Sequence, residues 1–172
     1  MDDRGLIQVY TGDGKGKTTA ALGLALRAVG QGLKAIIIQF IKGDCPCGEH
    51  LFATQHHLFD IVQLNTKSCF GQTSEELSST TEQTLALAEK TIVSGGYDVV
   101  VLDEIFVAVN MGVVSIEQVL SLTSKKPDKT ELILTGRMAP KEIIERADLV
   151  TEMVEVKHPF NKGITARKGI EY

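Results

Sequence analysis

The sequence contains no tryptophan, and aromatic residues make up only 5% of its 172 positions. Its core must therefore be mainly aliphatic, and 43% of apolar residues is enough to form one. Apolar runs such as AIII and VVVL are far shorter than the roughly 20 residues of a membrane-spanning helix. The acidic start, MDDRG, does not have the pattern of a signal peptide. These absences predict a soluble protein located in the cytoplasm.

Cysteines are also scarce. Cys45, Cys47 and Cys69 are too few to build a disulfide framework. Cys45 and Cys47, together with His50, could in principle bind a metal, but Cys-x-Cys is not a familiar zinc spacing. The spacing favours a variable loop that happens to contain thiols.

Charge is distributed unevenly along the chain. The net charge of -4 argues against a general nucleic-acid-binding protein. Residues 157–172 nevertheless carry a net charge of +3, which leaves -7 on the rest of the chain. On charge alone a solvated tail is favoured; the alternative is a tail that lies near an anionic ligand.

Short apolar runs alternate with helical patterns, and no internal repeat or long linker interrupts them. This alternation predicts a single domain over residues 1–172, with a three-layer α/β fold and a mostly parallel sheet of about five or six strands. The predicted strands are 6–10, 35–40, 60–64, 98–104, 131–136 and an edge strand at 149–156. The predicted helices begin near Lys17, Thr73, Ser115 and Pro140. In such folds, ligands bind at the carboxyl ends of the strands.

The first predicted helix has one apolar stripe with the spacing i, i+3, i+4, i+7. The side chains expected to face the core are Leu22, Ala25, Leu26 and Val29. The second helix is predicted to start with a capping box at Thr73 and Glu76 and to stop at Gly95.

A glycine-rich stretch, TGDGKGKT, follows the first predicted strand and precedes the first predicted helix. It matches the phosphate-loop pattern G-x-x-x-x-G-K-[ST], except that Thr11 replaces the first glycine. The flanking strand and helix disfavour the alternative of a tight turn that merely needs glycine. The fold class expected from this motif is P-loop NTPase-like.

Each residue type in this loop has a role in binding phosphate. The glycines allow backbone N–H groups to face an anion, and the N-terminus of the following helix adds positive potential. Lys17 would contact phosphate oxygens, Thr18 would ligate Mg²⁺, and Lys15 adds a second cation.

Polar residues also follow two buried strands. Asp103 and Glu104 lie just past VVVL, where a metal-binding acid of a P-loop protein is expected, although a strand-end capping acid is the simpler alternative. Arg137 follows another apolar strand and is a candidate phosphate clamp, or else an ordinary surface arginine. The sequence contains neither G-x-S-x-G nor H-E-x-x-H and no obvious nucleophile–base pair. Either the second substrate is itself reactive, or the protein is an ATPase switch in which Glu104 positions the attacking water.

Taken together, these stretches resemble the P-loop ATP:corrinoid adenosyltransferases of cobalamin synthesis and salvage. The matching segments are 9–32, 39–43 with Gly48 and Glu49, 97–104, 132–153 and 157–172. The last segment, KHPFNKGITARKGIEY, is the most diagnostic because its H-P-F and G-I-E-Y elements are not general features of P-loop proteins.

The resemblance implies transfer of the 5′-deoxyadenosyl group of ATP to the Co(I) of a reduced corrinoid, with release of triphosphate. Co(I) is already a powerful nucleophile, so no general base is required, and the nucleotide lies reversed on the loop relative to ATPases. The resemblance also implies Mg²⁺ (or Mn²⁺), a reduced flavoprotein as electron donor and a homodimer. No nucleic-acid or membrane partner is implied.

The resemblance assigns roles residue by residue. The nucleotide-binding set is Gly12, Asp13, Gly14, Lys15, Gly16, Lys17, Thr18, Thr19 and Arg27. The metal set is Thr18, Asp103 and Glu104. The catalytic set is Lys17, Thr18, Glu104 and Arg137. The basic segment 157–172 is expected to help cover the active site.

One stretch departs from the family pattern. Relatives often carry a G-F-T-W-like stretch whose aromatics are implicated in removing the lower ligand of cobalt. Here residues 68–72 are SCFGQ, so Phe70 matches the phenylalanine and no tryptophan follows. Phe70, joined by Phe106 or Phe160, would contact the corrin, and the alternative for Phe70 is an ordinary core position.

Two other functions are compatible with the sequence. A P-loop kinase or ATPase would release ADP instead of triphosphate. An ATP-dependent corrinoid carrier or sensor would bind both ligands without turnover.

Overall fold

The computed structural model describes residues 4–43, 47–65 and 73–172. The strands are β1 Ile7–Thr11, β2 Ala35–Gln39, β3 Asp60–Gln63, β4 Val99–Asp103, β5 Glu131–Thr135 and β6 Leu149–Glu152. The helices are α1 Lys17–Gly30, α2 Gly48–His56, α3 Ser74–Ser94, α4 Ile105–Asn110, α5 Ile116–Ser124 and α6 Lys141–Arg146. A short 3-10 helix spans Pro159–Lys162. None of the described helices is long and apolar enough to cross a lipid bilayer.

The strands form a single sheet in the order β3-β2-β4-β5-β1-β6, and every neighbouring pair is parallel. The predicted three-layer α/β fold with a parallel sheet, consistent with the P-loop NTPase class, is confirmed. Because all strands point the same way, the segments that follow β1, β2, β4 and β5 emerge at one edge of the sheet.

The central strand β4 shows how the sequence builds two cores. Val100 and Leu102 pack into the cluster formed with α3 to α6, whereas Val99 and Val101 pack into the cluster formed with α1 and α2. Alternate side chains of a strand point to opposite faces, so a sheet covered on both sides needs a continuously apolar strand.

The inward face of α1 differs from the sequence prediction. Ala21, Ala25 and Ala28 are buried, whereas Leu26 is 52% exposed. Of the predicted set, only Ala25 is fully buried. The helix carries two overlapping apolar stripes, and the alanine stripe lets the helix lie close to the sheet, which hydrophobic spacing alone cannot distinguish.

The predicted helix ends agree well with the structure. Capping boxes open α3 at Thr73 and α5 at Ser115, and Gly95 ends α3 in a left-handed conformation. Two helices, α2 and α4, were not predicted. In α2 only Ala53 is buried, and α4 is a six-residue apolar segment without a polar face. The edge strand β6 is shorter than predicted and ends at Glu152.

Candidate active site

A cleft of about 540 Å³ opens at the carboxyl edge of the sheet. It is lined by residues 13–19, Leu22, Lys42, Gly48, Glu49, Glu104, Arg137, His158 and residues 169–172. The structure thus brings most of the predicted site residues together, from the loop after β1, the end of β4 and the end of β5.

The loop glycines have a packing reason that the sequence did not reveal. Gly12 has a φ of 94°, and a Cβ atom there would lie 2.4 Å from the Met153 carbonyl oxygen. A Cβ on Gly14 would lie 2.7 Å from the same atom. The Gly14 N–H donates to that carbonyl across 2.7 Å. This amide is therefore engaged by the chain after β6 instead of facing the cleft, in contrast to the expectation that it faces an anion.

Lys17, the first residue of α1, is buried within the loop. Its Nζ donates to the carbonyl oxygens of Gly12, at 2.7 Å, and Gly14, at 2.8 Å. Burial lowers the pKa of Lys17 below its ordinary value, an effect that the nearby Glu104 carboxylate opposes. The ammonium group of Lys17 is thus bound only by neutral carbonyl groups of the loop, and an anionic ligand can replace them.

Asp103 is completely buried beneath the cleft. Its Oδ1 accepts hydrogen bonds from the hydroxyls of Thr18 and Thr135, both at 2.8 Å. Its Oδ2 contacts Gln39 Nε2 at 3.1 Å and Lys42 Nζ at 3.2 Å. A carboxylate has about four lone-pair sites, so these donors occupy all of them. Asp103 therefore orients Thr18, and direct metal ligation by Asp103 would require one of these contacts to break.

Glu104 lies at the start of α4 in a left-handed backbone conformation, with a φ of 62°. Its N–H donates to Thr135 Oγ1 across 2.9 Å, which helps to hold this conformation. A non-glycine residue in this region stores strain of about 1–3 kcal/mol, and such strain clusters at functional sites. Burial, reinforced by the charge of Asp103, raises the pKa of the Glu104 carboxyl.

Lys42 is a residue of the cleft that the sequence analysis did not assign. Its Nζ bridges the carboxylates of Asp103 and Glu49, each at 3.2 Å. Burial disfavours its charge, but the two carboxylates raise the pKa of Lys42 above its ordinary value. Its position just beyond β2, at the carboxyl edge of the sheet, was the available signal.

The C-terminal segment lies over the glycine loop. Lys15 Nζ contacts the Ile170 carbonyl oxygen at 3.2 Å and Glu171 Oε1 at 3.0 Å. Arg167 also pairs with Glu171, and hydrogen bonds from Arg167 and Lys15 lower the pKa of Glu171 to about 2. The segment therefore covers Lys15, and its Glu171 carboxylate would compete with an anionic ligand for that side chain.

Four further predicted ligand contacts do not line this cleft or are not among the described residues. Arg27 lines a separate cavity at the opposite edge of the sheet, beside Asp98 and Glu131. Phe106 is fully buried, and its Cβ lies 2.7 Å from where a Cβ on Gly136 would be, so it offers no surface to a corrin. Phe70 lies outside the described residues. Phe160 is 72% exposed.

Comparison with known proteins adds an independent line of support. A family model described as ATP:corrinoid adenosyltransferase BtuR/CobO/CobP matches residues 3–172. A corrinoid adenosyltransferase of Escherichia coli K12 is 37% identical over 172 residues, covering 100% of this chain and 88% of that protein. The corrinoid adenosyltransferase CobA of Salmonella typhimurium is 36% identical over 172 residues, with the same two coverages, 100% and 88%. One from a Sinorhizobium species is 37% identical over 179 residues, covering 99% and 82%.

The matched region spans the strands that carry the glycine loop, the buried acid and the basic C-terminal segment. On this similarity, the chain belongs to the ATP:corrinoid adenosyltransferase family.

Proposed function

We propose that this protein transfers the 5′-deoxyadenosyl group of ATP to the Co(I) of a reduced corrinoid and releases triphosphate. The observation that carries the proposal is the cleft in which Lys17 and Thr18 of the glycine loop meet Glu104 and Arg137. The family to which the chain belongs supports the choice of corrinoid as acceptor.

The chemistry places few demands on the protein. The electron pair of Co(I) forms a bond to the 5′-carbon of ATP while the bond from that carbon to the triphosphate oxygen breaks. The electron pair of the broken bond leaves with triphosphate, and no proton is removed. The side chains must therefore align the reacting atoms and stabilise charge on the leaving group.

The cations of the cleft are suited to that task. Lys17 would exchange its two carbonyl contacts for triphosphate oxygens, with Arg137 on the facing strand end as a second contact. Lys15 becomes available when its contact with Glu171 opens. Asp13, Gly16 and Thr19 complete the proposed nucleotide contacts along the loop.

Thr18 and Glu104 are the side chains that would hold Mg²⁺ (or Mn²⁺). The Thr18 hydroxyl gives its hydrogen to Asp103, so its lone pairs remain for a cation. Glu104 adds a carboxylate at the same edge, and hard oxygen donors of this kind fit Mg²⁺. Asp103 acts by orienting Thr18. Bound Mg²⁺ would neutralise negative charge that develops on the triphosphate.

The acceptor side of the reaction adds further proposals. Because Co(I) is unstable in air, a reduced flavoprotein is the proposed electron donor. Phe70 and the exposed Phe160 are the proposed aromatic contacts of the corrin. Residues 1–172 are proposed as one domain that acts as a homodimer in the cytoplasm, with segment 157–172 covering the active site.

The test is an anaerobic assay of the purified protein with ATP, Mg²⁺ and chemically reduced cob(I)alamin. A light-sensitive alkylcobalt spectrum with stoichiometric triphosphate is expected. Release of ADP without alkylation would instead identify a P-loop kinase or ATPase. Binding of both ligands without turnover would identify a corrinoid carrier or sensor.

A further inference from the structure

Three side chains with metal-binding atoms converge at the start of α2. Cys47 is the N-cap residue, and Glu49 and His50 lie in the first turn. The Cys47 sulfur, a Glu49 carboxylate oxygen and a ring nitrogen of His50 all lie within 4.8 Å of one another. We call these three residues the α2 cluster.

The capping geometry brings this cluster together. The Cys47 side chain accepts the His50 backbone N–H, and the Cys47 backbone N–H donates to His50 Nδ1 across 3.2 Å. These two hydrogen bonds hold the Cys47 sulfur and the His50 imidazole next to each other in the first turn of α2.

The imidazole of His50 is only partly satisfied there. Its Nε2 is buried and has no hydrogen-bond partner among the described residues. A buried polar atom without a partner destabilises the folded state. Because Nδ1 accepts the Cys47 N–H, the neutral ring carries its proton on Nε2. A metal would therefore bind at Nδ1, in exchange for the contact with the Cys47 N–H, and Nε2 would remain a donor.

We propose that the α2 cluster binds a transition-metal cation of the Zn²⁺ class through Cys47, Glu49 and His50. Thiolate and imidazole donors select Zn²⁺ over Mg²⁺. Zinc bonds of about 2.0–2.3 Å place tetrahedral ligands roughly 3.3–3.8 Å apart. Since no two of the three atoms are more than 4.8 Å apart, the cluster has to contract by at most about 1–1.5 Å to reach that geometry.

The charge around the cluster is compatible with a cation. Glu49 Oε1 pairs with Lys42 at 3.2 Å, and its second carboxylate oxygen remains for the metal. Binding would release the thiol proton of Cys47, because the thiolate is the ligand. Three protein ligands leave a fourth tetrahedral position for water.

The cluster differs from the proposed Mg²⁺ site, which has only oxygen donors from Thr18 and Glu104. Glu49 nevertheless lines the cleft, so a bound zinc ion would fix the start of α2 as part of the cleft wall. The inference does not rest on the proposed reaction, and its test requires no turnover.

The experiment uses the full chain, kept reduced, stripped with a chelator and reloaded with zinc sulfate. Metal content is measured after gel filtration, and Co²⁺ is loaded in parallel to follow thiolate-to-cobalt absorption. The variants are Cys47→Ser, His50→Ala and Glu49→Gln. The matched control is His56→Ala, which removes an exposed imidazole from the far end of the same helix.

Equimolar zinc is expected in the wild type and in His56→Ala, with a thiolate-to-cobalt band in both. Affinity should fall by at least about tenfold in each cluster variant, since even the loss of an outer-shell partner of a metal ligand has an effect of that size. Zinc should raise the melting temperature of the wild type and leave that of Cys47→Ser unchanged.

Circular dichroism and urea denaturation establish that each variant is folded, and Glu49→Gln, which keeps the side-chain shape, guards against a folding defect in His50→Ala. A wild-type protein that takes up no zinc would overturn the proposal. Full zinc content with an unchanged cobalt spectrum in Cys47→Ser would overturn it as well.

Discussion

The hydroxyl of Thr18 donates to Asp103 Oδ1 across 2.8 Å and so joins the start of α1 to the end of β4. These two elements are not neighbours in the chain, and β5 lies between β4 and β1 in the sheet. Thr135, on β5, donates to the same oxygen at 2.8 Å. The buried carboxylate thus fixes the direction of the Thr18 hydroxyl and leaves its lone pairs for a cation.

Replacing Thr18 by valine should weaken the binding of Mg²⁺ while leaving the fold intact. The variant keeps the shape of the side chain but loses the proposed ligand oxygen, and we expect the Mg²⁺ concentration for half-maximal activity to rise roughly 10- to 100-fold. Thr18→Ser retains a hydroxyl and is the matched control. An unchanged Mg²⁺ titration in Thr18→Val would remove Thr18 from the metal site.

Replacing Asp103 by alanine should strongly destabilise the protein. Lys42 would lose its fully buried partner, and breaking a buried ion pair from one side reduces the free energy of unfolding by about 3–5 kcal/mol. Urea denaturation measures the change. The double variant Asp103→Ala/Lys42→Met should recover only part of the loss. It removes the Lys42 charge together with its buried partner, but Glu49 then loses its own contact with Lys42. Additive effects of the two substitutions would mean that this pair is not coupled.

Replacing Lys17 by alanine should abolish most ATP binding and turnover. Its Nζ is the cation held inside the loop, and losing one such contact to a developing anion reduces turnover by roughly 100- to 1,000-fold. Lys141→Ala, at an exposed site on α6, is the charge-matched control. Wild-type turnover in Lys17→Ala would reject the assignment of the loop.

The C-terminal segment yields a pair of contrasting variants. A chain truncated before Lys157 should fold but turn over slowly, because the cleft loses its cover. Glu171→Gln should instead lower the KM for ATP, since Lys15 no longer has a carboxylate competitor. Steady-state kinetics separates the two effects. Full activity in the truncated chain would return this segment to the role of a solvated tail.

Glu104 should influence stability in a pH-dependent way. Burial raises its pKa above the ordinary value of 4.5, so the native chain binds this proton more tightly than the unfolded chain does. The resulting stabilisation is complete below the ordinary pKa and is lost as the pH rises through the raised pKa. Without metal, Glu104→Gln should therefore be more stable than the wild type at neutral pH.

That advantage should shrink as the pH falls towards 4.5, the ordinary pKa of a glutamate. Thermal melts of both proteins across this range provide the measurement. A Glu104→Gln variant that is equally destabilised at every pH would show that the carboxylate has a structural role. The same variant should also bind Mg²⁺ more weakly, and a titration of activity against Mg²⁺ concentration checks this independently.

Much of the fold was predictable because its signals are local. The apolar run of β4, the capping box of α3 and the glycine at its end each depend on neighbouring residues. The inward face of α1 was predicted wrongly because both an alanine stripe and a leucine stripe fit helical spacing. Only contact with the sheet selects the alanines, since their small side chains allow the helix to approach.

By itself, the sequence determined the parallel α/β architecture, the glycine loop and the acids after β4, because hydrophobic periodicity and short motifs are properties of adjacent residues. Tertiary structure decided how distant groups combine. It saturated Asp103 with four donors, brought Lys42 between two carboxylates and laid Glu171 over Lys15. It also placed Arg27 at the opposite edge of the sheet. These contacts join residues far apart in the chain, so they follow from strand order and packing, which no local pattern encodes.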